Sequence, residues 1–255
     1  MTVLQRVTLR ELHEMADLEQ VIALFDRIWR PRPGGEPITL EMLRVLTHTG
    51  NYVAGAYEGG RLVGASVGFL SAPIGDALHS HVTGAERGRG IGLALKLHQR
   101  EWALERGLSR ITWTYDPLVR RNAQFNLAKL GARPEAYLPS FYGVMADAVN
   151  EGDESDRLLT VWRLTGPAAP PPEVPADVVI GLGEQDGWPV PGRTDAAMVL
   201  VAVPADIEGL RRRDPATARR WRLAVREVVG GLLNDGARVT GFHHRSWYVI
   251  EKEAP

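Results

Sequence analysis

A glycine-rich turn near residue 90 constrains this chain more than any other stretch, because it joins a predicted strand to a predicted helix. The strand-like run Leu78 to Val82 precedes it, and apolar or aromatic residues then recur at helical spacing: Ile91, Leu95, His98 and Trp102. Glycine lets a ligand approach the backbone closely, and the first amides of a helix have no partners within the helix. The turn therefore predicts a site for a phosphate or pyrophosphate group.

Spacing separates three kinds of phosphate-binding loop. A Walker loop ends in Gly-Lys-Ser/Thr, but Gly90 is followed by Ile91 and Gly92. The dinucleotide fingerprint Gly-x-Gly-x-x-Gly is one residue longer than the glycine pattern found here, so a nicotinamide-dependent oxidoreductase is a distant rival. The run from Arg87 to Gly92 fits Arg/Gln-x-x-Gly-x-Gly/Ala at every fixed position. It resembles the pyrophosphate loop of the GNAT acyltransferase superfamily, whose members take an acyl group from an acyl-CoA.

The elements predicted around this turn follow an order that also resembles the GNAT core. The predicted strands are Val3 to Leu9, Tyr52 to Tyr57, Leu62 to Phe69, Leu78 to Val82, Ser109 to Tyr115, Tyr137 to Tyr142 and Leu158 to Leu164. Helical patterns start near Met15, Leu40 and Ile91, and a further one spans Val119 to Leu130. One departure is Leu127, which stands where many members carry a tyrosine. The resemblance covers about the first 165 residues and implies an α/β (α+β) fold with a mixed central sheet.

Several short strings resemble one bacterial branch of GNAT proteins, the predicted acyltransferases. They are Leu78 to His81, Trp113 to Leu118, Asn122 to Asn126, Phe141 to Gly143 and Ser155 to Arg157. Some members of that branch are associated with N-succinylation of amino acids beside an N-acylamino-acid racemase. This resemblance implies a possible substrate class for the chain.

Composition changes after residue 165. A proline-rich stretch predicts a stiff linker over residues 166–190, since successive prolines favour an extended chain. Residues 191–255 predict a smaller α+β segment, reminiscent of a partial acyltransferase half-domain, with strands at Ala197 to Val203, Val239 to Phe242 and Trp247 to Ile250. We expect an acyltransferase domain at residues 1–165. The arginines between Arg211 and Arg226 are interleaved with acidic residues, so we expect them on a solvated helix face.

Charge and composition exclude several classes of partner and site. The formal net charge of −1 gives no overall field to attract nucleic acid or an anionic membrane. The chain has no cysteine, which rules out a disulfide framework and thiolate chemistry. A secretion signal and an apolar stretch of about 18 residues are also missing, so we expect a cytoplasmic protein.

The resemblance implies a set of residues that bind the cofactor. The loop residues Arg87, Gly88, Arg89, Gly90, Ile91 and Gly92 would hold the pyrophosphate of CoA, and the backbone amide near Val82 would stabilise the acyl oxygen. Asn122 and Asn126 are four residues apart on one predicted helix face. Since asparagine is a poor helix former, we expect these two side chains to bond to the cofactor or to the neighbouring strand.

Histidine and tyrosine supply the candidate catalytic groups. His79 and His81 are two apart on a strand, so they point to the same face, and histidine titrates near neutral pH. One of them is a candidate general base, with a hydrogen-bonded structural role as the alternative. Tyr115 and Tyr142 are candidate acids in place of the missing tyrosine, or else half-buried strand aromatics. The histidines lack a nearby third ligand, so we expect no metal.

Together these patterns predict an acyl-CoA-dependent N-acyltransferase. It would move an acetyl or succinyl group from acetyl-CoA or succinyl-CoA to the amine of a small molecule such as an amino acid. A non-catalytic acyl-CoA-binding sensor is the alternative, because of Leu127. The apolar stripe of the C-terminal helix requires a partner surface, so we expect this segment either to dock on the acyltransferase domain or to pair with a second copy as a homodimer.

Overall fold

The structure is a computed structural model that describes residues 7–71, 76–86, 90–143, 152–166 and 170–252. Contacts within the chain divide it into two compact units. The first unit comprises residues 1–113 with 163–165, and the second comprises residues 114–162 with 166–255. The division into 1–165, 166–190 and 191–255 stays a prediction, although residues 114–162 fall into the same unit as the chain that follows residue 166.

The first unit contains a mixed sheet with the strand order β1-β2-β3-β4-β5. All neighbouring strands are antiparallel except β4 and β5, which are parallel. The strands are β1 (Thr8–Glu11), β2 (Tyr52–Glu58), β3 (Arg61–Ser71), β4 (Ala77–Ala85) and β5 (Arg110–Tyr115). The helices are α1 (Met15–Trp29), α2 (Leu40–His48) and α3 (Ile91–Glu105). The strands predicted over Tyr52 to Tyr57 and Leu62 to Phe69 are confirmed, as are the helices that start near Met15, Leu40 and Ile91. Residues 3–6 of the first predicted strand lie outside the described residues.

Helices cover both faces of this sheet because its strands are apolar on both sides. Val53 on β2 packs in one cluster with the buried face of α1, which includes Leu18 and Phe25. Ala56, three residues along β2, packs in a second cluster with Ile91 and with Leu95 of α3. Since successive strand residues point to opposite faces, the two clusters lie on opposite sides of the sheet.

Gly64 brings the start of α3 close to the sheet. A Cβ atom at Gly64 would lie 2.6 Å from Cγ2 of Ile91 and 3.0 Å from Cδ1 of Leu95. Only a residue without a side chain allows this approach. The glycine on β3 therefore determines where the first turn of α3 lies.

The second unit has a five-stranded sheet in the order β11-β12-β10-β8-β9 and an antiparallel pair, β6 and β7. Its strands are β6 (Arg133–Leu138), β7 (Arg157–Arg163), β8 (Val179–Gln185), β9 (Trp188–Pro191), β10 (Met198–Ala202), β11 (Arg238–His243) and β12 (Trp247–Glu251). Its α-helices are α4 (Arg120–Ala123), α5 (Ile207–Arg213), α6 (Pro215–Val225) and α7 (Gly231–Asn234). Two π-helical turns, Gln124–Lys129 and Arg226–Gly230, continue α4 and α6.

Two predictions about these elements need correction, and two further strands were not predicted. The strand predicted over Tyr137 to Tyr142 ends at Leu138, and Tyr142 lies in a turn in which Ser140 has a φ of +45°. The helix predicted over Val119 to Leu130 is mostly π-helical. The strands β8 and β9 were not predicted, since their glycines and prolines are typical of loops.

A buried cluster of charges in the second unit corrects the prediction for two arginines of the run, whereas four others in the run are exposed as predicted. Arg222 is 1% exposed, and its guanidinium donates to Oδ1 of Asp116 at 2.8 Å and to Oδ2 of Asp153 at 2.9 Å. Arg211 is also buried and binds the same two carboxylates. Burial alone would raise the pKa of Asp116, but Arg222 and Arg211 outweigh it and hold this pKa well below its usual range. These two arginines are therefore internal partners of distant acids.

Removing one partner of this cluster is expected to destabilise the protein strongly. Arg222→Ala leaves Asp116 and Asp153 buried with less positive charge, which costs about 3–5 kcal/mol of unfolding free energy in comparable cases. Chemical denaturation followed by circular dichroism measures this change. The control is Arg193→Ala, which removes the exposed ion pair with Asp195 and should cost less than about 1 kcal/mol. Equal effects of the two substitutions would contradict the structural role of the cluster.

Candidate functional site

The parallel strands β4 and β5 lie side by side over only three residue pairs, which end at His79 and Thr112. Their first residues are held together by Asp76, whose carbonyl accepts hydrogen bonds from the N–H groups of Ser109 at 2.9 Å and Arg110 at 3.2 Å. Past the third pair β4 continues to Ala85. Within the described part of the chain, no strand pairs with that side of β4 beyond His79. This edge can accept hydrogen bonds from an extended ligand.

A β-bulge lies in β4 at the same place. Val82 is opposite Val67 on β3, but the next pair is Ser80 with Gly68, so His81 is an extra residue on β4. A bulge leaves the extra residue outside the hydrogen-bonded ladder. Backbone polar groups of His81 and Val82 are therefore candidates for binding a ligand rather than β3.

His79 and His81 both contact the ring of Phe69, with ring centroids 5.2 Å and 6.0 Å away. Nδ1 of His79 lies 3.0 Å from the hydroxyl of Thr112. Nε2 of His81 donates to the carbonyl of Pro37 at 2.9 Å, in the segment between α1 and α2. The two imidazoles therefore have a common aromatic neighbour, and each has a hydrogen-bond partner.

The pKa of His79 differs from the value that the sequence suggested. Burial, together with electrostatic interactions with His81 and Lys96, lowers the pKa of His79 to about 4. The imidazole of His79 is therefore neutral at pH 7 and accepts a proton poorly. It is better suited to orient a neighbouring group or a water molecule than to act as the base.

The start of α3 comes shortly after β4 in the chain, beyond the part of β4 that β5 leaves unpaired. Gly90 has a φ of +70°, and its carbonyl accepts the first helical bonds from Leu93 and Ala94. The N–H groups of Ile91 and Gly92 precede those bonded amides, so they have no partner within the helix. A Cβ at Gly90 or Gly92 would meet nothing within 4 Å. Arg87, Gly88 and Arg89 lie outside the described residues.

The two candidate tyrosines have different environments in the second unit. The hydroxyl of Tyr115 is buried and lies 3.4 Å from that of Tyr248. Burial raises the pKa of Tyr115 well above its usual value, which weakens it as a proton donor. Tyr142 is 44% exposed, and its hydroxyl lies 3.1 Å from that of Thr114 on β5. Of the two, Tyr142 has the phenol that a ligand can reach.

The π-helical turn changes the positions of the predicted asparagines. Asn122 lies in α4 and is half-buried, whereas Asn126 lies in the π-helical turn and is buried. Because π-helical bonds join residues five apart, a spacing of four no longer defines one face. Leu127, at the position of the missing tyrosine, packs in the apolar core of the second unit.

Comparisons with solved structures identify the fold. The ribosomal-protein-S18-alanine N-acetyltransferase from Escherichia coli matches with a TM-score of 0.51 and 12% identity, over 63% of this chain and 96% of that chain. A probable acetyltransferase from Staphylococcus epidermidis has a TM-score of 0.51 and 14% identity, over 62% of this chain and 99% of that chain. A putative GNAT-family acetyltransferase from Desulfovibrio desulfuricans has a TM-score of 0.51 and 15% identity, with the same coverage.

The chain has the GNAT fold. The predicted fold class is therefore confirmed. No protein-family model matches the sequence, and no curated protein matches it. Among the described residues, no helix is long and apolar enough to cross a membrane, and no group of three acidic or histidine side chains could hold a metal ion.

The lowered pKa of His79 predicts a pH-dependent loss of stability. The folded pKa of about 4 lies below the unfolded value of about 6.5. The unfolded chain therefore binds more protons in this window, so the unfolding free energy falls as the pH drops from about 6.5 to 4. His79→Gln should make this decline shallower in denaturation measured at several pH values.

The control for this measurement is the exposed His48 on α2, replaced by glutamine. It should leave the slope of stability against pH unchanged. If His79→Gln and the control gave the same slope as the unaltered protein, the burial of His79 would not affect its titration.

Proposed function

We propose that the chain is an acyl-CoA-dependent N-acyltransferase, which moves an acetyl or succinyl group to the amine of a small molecule such as an amino acid. The observation that carries this proposal is the separation of β4 from β5 after His79, next to the start of α3. The free edge of β4 offers strand-like hydrogen bonds, which suit the amide-containing arm of CoA. The start of α3 offers free helical amides, which suit its pyrophosphate.

The cofactor would bind along β4 and at the start of α3. The N–H groups of Ile91 and Gly92 would donate to the pyrophosphate at this helix N-terminus, where the helix dipole favours negative charge. The amides of the pantetheine arm would pair with the edge of β4 as an added strand does. The assignment of Arg87, Gly88 and Arg89 to the pyrophosphate loop stays a prediction from the sequence.

Acyl transfer from a thioester to an amine requires three kinds of assistance. The attacking amine must be neutral, the acyl oxygen must be stabilised as negative charge develops, and the thiolate must leave. A fixed backbone amide stabilises an oxyanion well, and the bulge at His81 supports the amide near Val82 in this role. His79 or His81 would orient the water that accepts the proton of the amine, which agrees with a neutral His79.

A non-catalytic acyl-CoA sensor is the second candidate function. It is favoured by Leu127, which packs in the core and offers no acid at the position of the missing tyrosine. The thiol of CoA has a pKa of about 8.5, so a dedicated acid helps the thiolate to leave but is not obligatory, and the missing tyrosine does not exclude turnover. For this reason we place the enzyme first. N-succinylation, the role of Tyr142, a homodimer and a cytoplasmic location stay predictions.

A substitution at Gly92 tests the cofactor site. Gly92→Val adds a branched side chain that the fold tolerates, since the space around it is open, but the side chain would stand where the pyrophosphate binds. We expect the dissociation constant for CoA to rise at least about tenfold in calorimetry, equivalent to about 1.4 kcal/mol. Gly231→Val, at the open first position of α7, is the matched control and should bind CoA normally. Normal binding by both variants would remove the glycine turn from the cofactor site.

Ligand binding and turnover separate the candidate functions. Thermal-shift measurements with acetyl-CoA, succinyl-CoA, CoA and NAD should show stabilisation by the CoA compounds, because a ligand that binds only the native state stabilises it. Thiol release from both acyl-CoAs should then appear with a panel of L-amino acids. Binding without thiol release would favour the sensor, and stabilisation by NAD alone would contradict both candidates.

A further inference from the structure

Lys96 on α3 is a buried lysine in the first unit. The residue is 5% exposed, and its ammonium donates to Oγ of Ser80 at 2.8 Å and to Oε1 of Gln99 at 3.0 Å. It also lies 4.0 Å from the centroid of the Trp113 ring. These three neighbours are uncharged, and within the described part of the chain no carboxylate forms an ion pair with Lys96. Burying a charge without a counterion is unfavourable, so a lysine at this position costs stability and calls for a functional explanation.

Hydrogen bonds fix the position of this side chain. Gln99 accepts from Lys96 and donates through Nε2 to the hydroxyl of Ser66 on β3 at 3.3 Å. Ser66 in turn lies 2.8 Å from the hydroxyl of Thr83 on β4. The network therefore links α3 to two strands and holds the ammonium at one place.

That place is the point where β4 and β5 separate. Ser80 and Trp113 directly follow the last residue pair, His79 and Thr112. A cofactor arm that pairs with β4 can extend only to this point, because β5 occupies the edge of β4 at earlier residues. The thioester end of the arm would therefore reach the neighbourhood of Lys96.

We propose that Lys96 is a further catalytic residue, whose ammonium lies beside the sulfur of bound acyl-CoA and protonates it as the thioester breaks; this rests on the proposed function. The acceptor amine forms the new carbon–nitrogen bond, and the electron pair of the broken carbon–sulfur bond goes to sulfur. Lys96 gives its proton to sulfur, which leaves CoA as a thiol. The proton lost by the acceptor nitrogen passes to solvent, and Lys96 regains a proton from solvent.

The titration of Lys96 supports this role. Burial lowers the pKa of Lys96 to about 7, so that it can give up a proton near neutral pH, which an ordinary lysine does not. Its titratable neighbour is His79, which interacts with it electrostatically and is neutral at this pH. The reaction rate should therefore fall as the pH rises through about 7, since the acid must be protonated.

The test compares Lys96→Met with the unaltered protein. Acetyl-CoA is the donor, and the best acceptor from the L-amino-acid panel is used. We expect kcat to fall at least about 100-fold and its decline at high pH to disappear, while the dissociation constant for CoA stays within about threefold. Lys129→Met, at an exposed lysine, is the control and should change neither. Lys96→Arg retains the charge but does not release a proton near neutral pH, so it should show the same loss even if the methionine variant folds poorly.

The outcomes distinguish a failure of the role of Lys96 from a failure of the proposed function. If Lys96→Met and Lys96→Arg both retained kcat and the decline at high pH, Lys96 would not be the acid, although the proposed function would stand. If the unaltered protein bound no CoA, or bound CoA without releasing thiol from acetyl-CoA, the proposed function would fail. The role of Lys96 would then fail with it.

Discussion

The short pairing between β4 and β5 is the constraint on which the candidate site depends. Asp76 holds the starts of the two strands together through the N–H groups of Ser109 and Arg110, and the pairing stops three residues later. The bulge at His81 lies at the same level of β4. Had β5 paired with β4 along its whole length, no backbone would remain for a cofactor arm. An unpaired strand edge is normally a liability, so its presence beside free helical amides supports the proposed cofactor site.

The position of α3 relative to that edge depends on packing rather than on the loop alone. Gly64 lets Ile91 and Leu95 lie against the sheet, so the first free amides of α3 are placed beside the end of β4.

In the second unit, buried ion pairs determine which segments of the chain pack together. The buried contacts of Asp116 with Arg211 and Arg222 join residues before and after the proline-rich stretch, so the C-terminal segment is part of a common core.

Local patterns in the sequence were sufficient for much of the fold. The glycine turn, the apolar stripe of α1 and the hairpin at Gly59 and Gly60 were predictable, since each depends on residues close together in the chain. The environment of Arg222 was not, because its partner Asp116 is 106 residues away and a run of charges usually indicates a solvated face. The pKa of His79 and the burial of Lys96 were missed for a related reason. Burial depends on what packs around a residue, which spacing along one strand or helix does not reveal.

A crystal structure of the chain with bound CoA is the decisive test of the proposed cofactor site. We expect the pyrophosphate oxygens to accept hydrogen bonds from the N–H groups of Ile91 and Gly92. We also expect the amides of the pantetheine arm to bond to the backbone of β4 between Ser80 and Ala85. CoA bound at another strand edge, or an arm with no backbone contact to β4, would show that the cofactor site lies elsewhere.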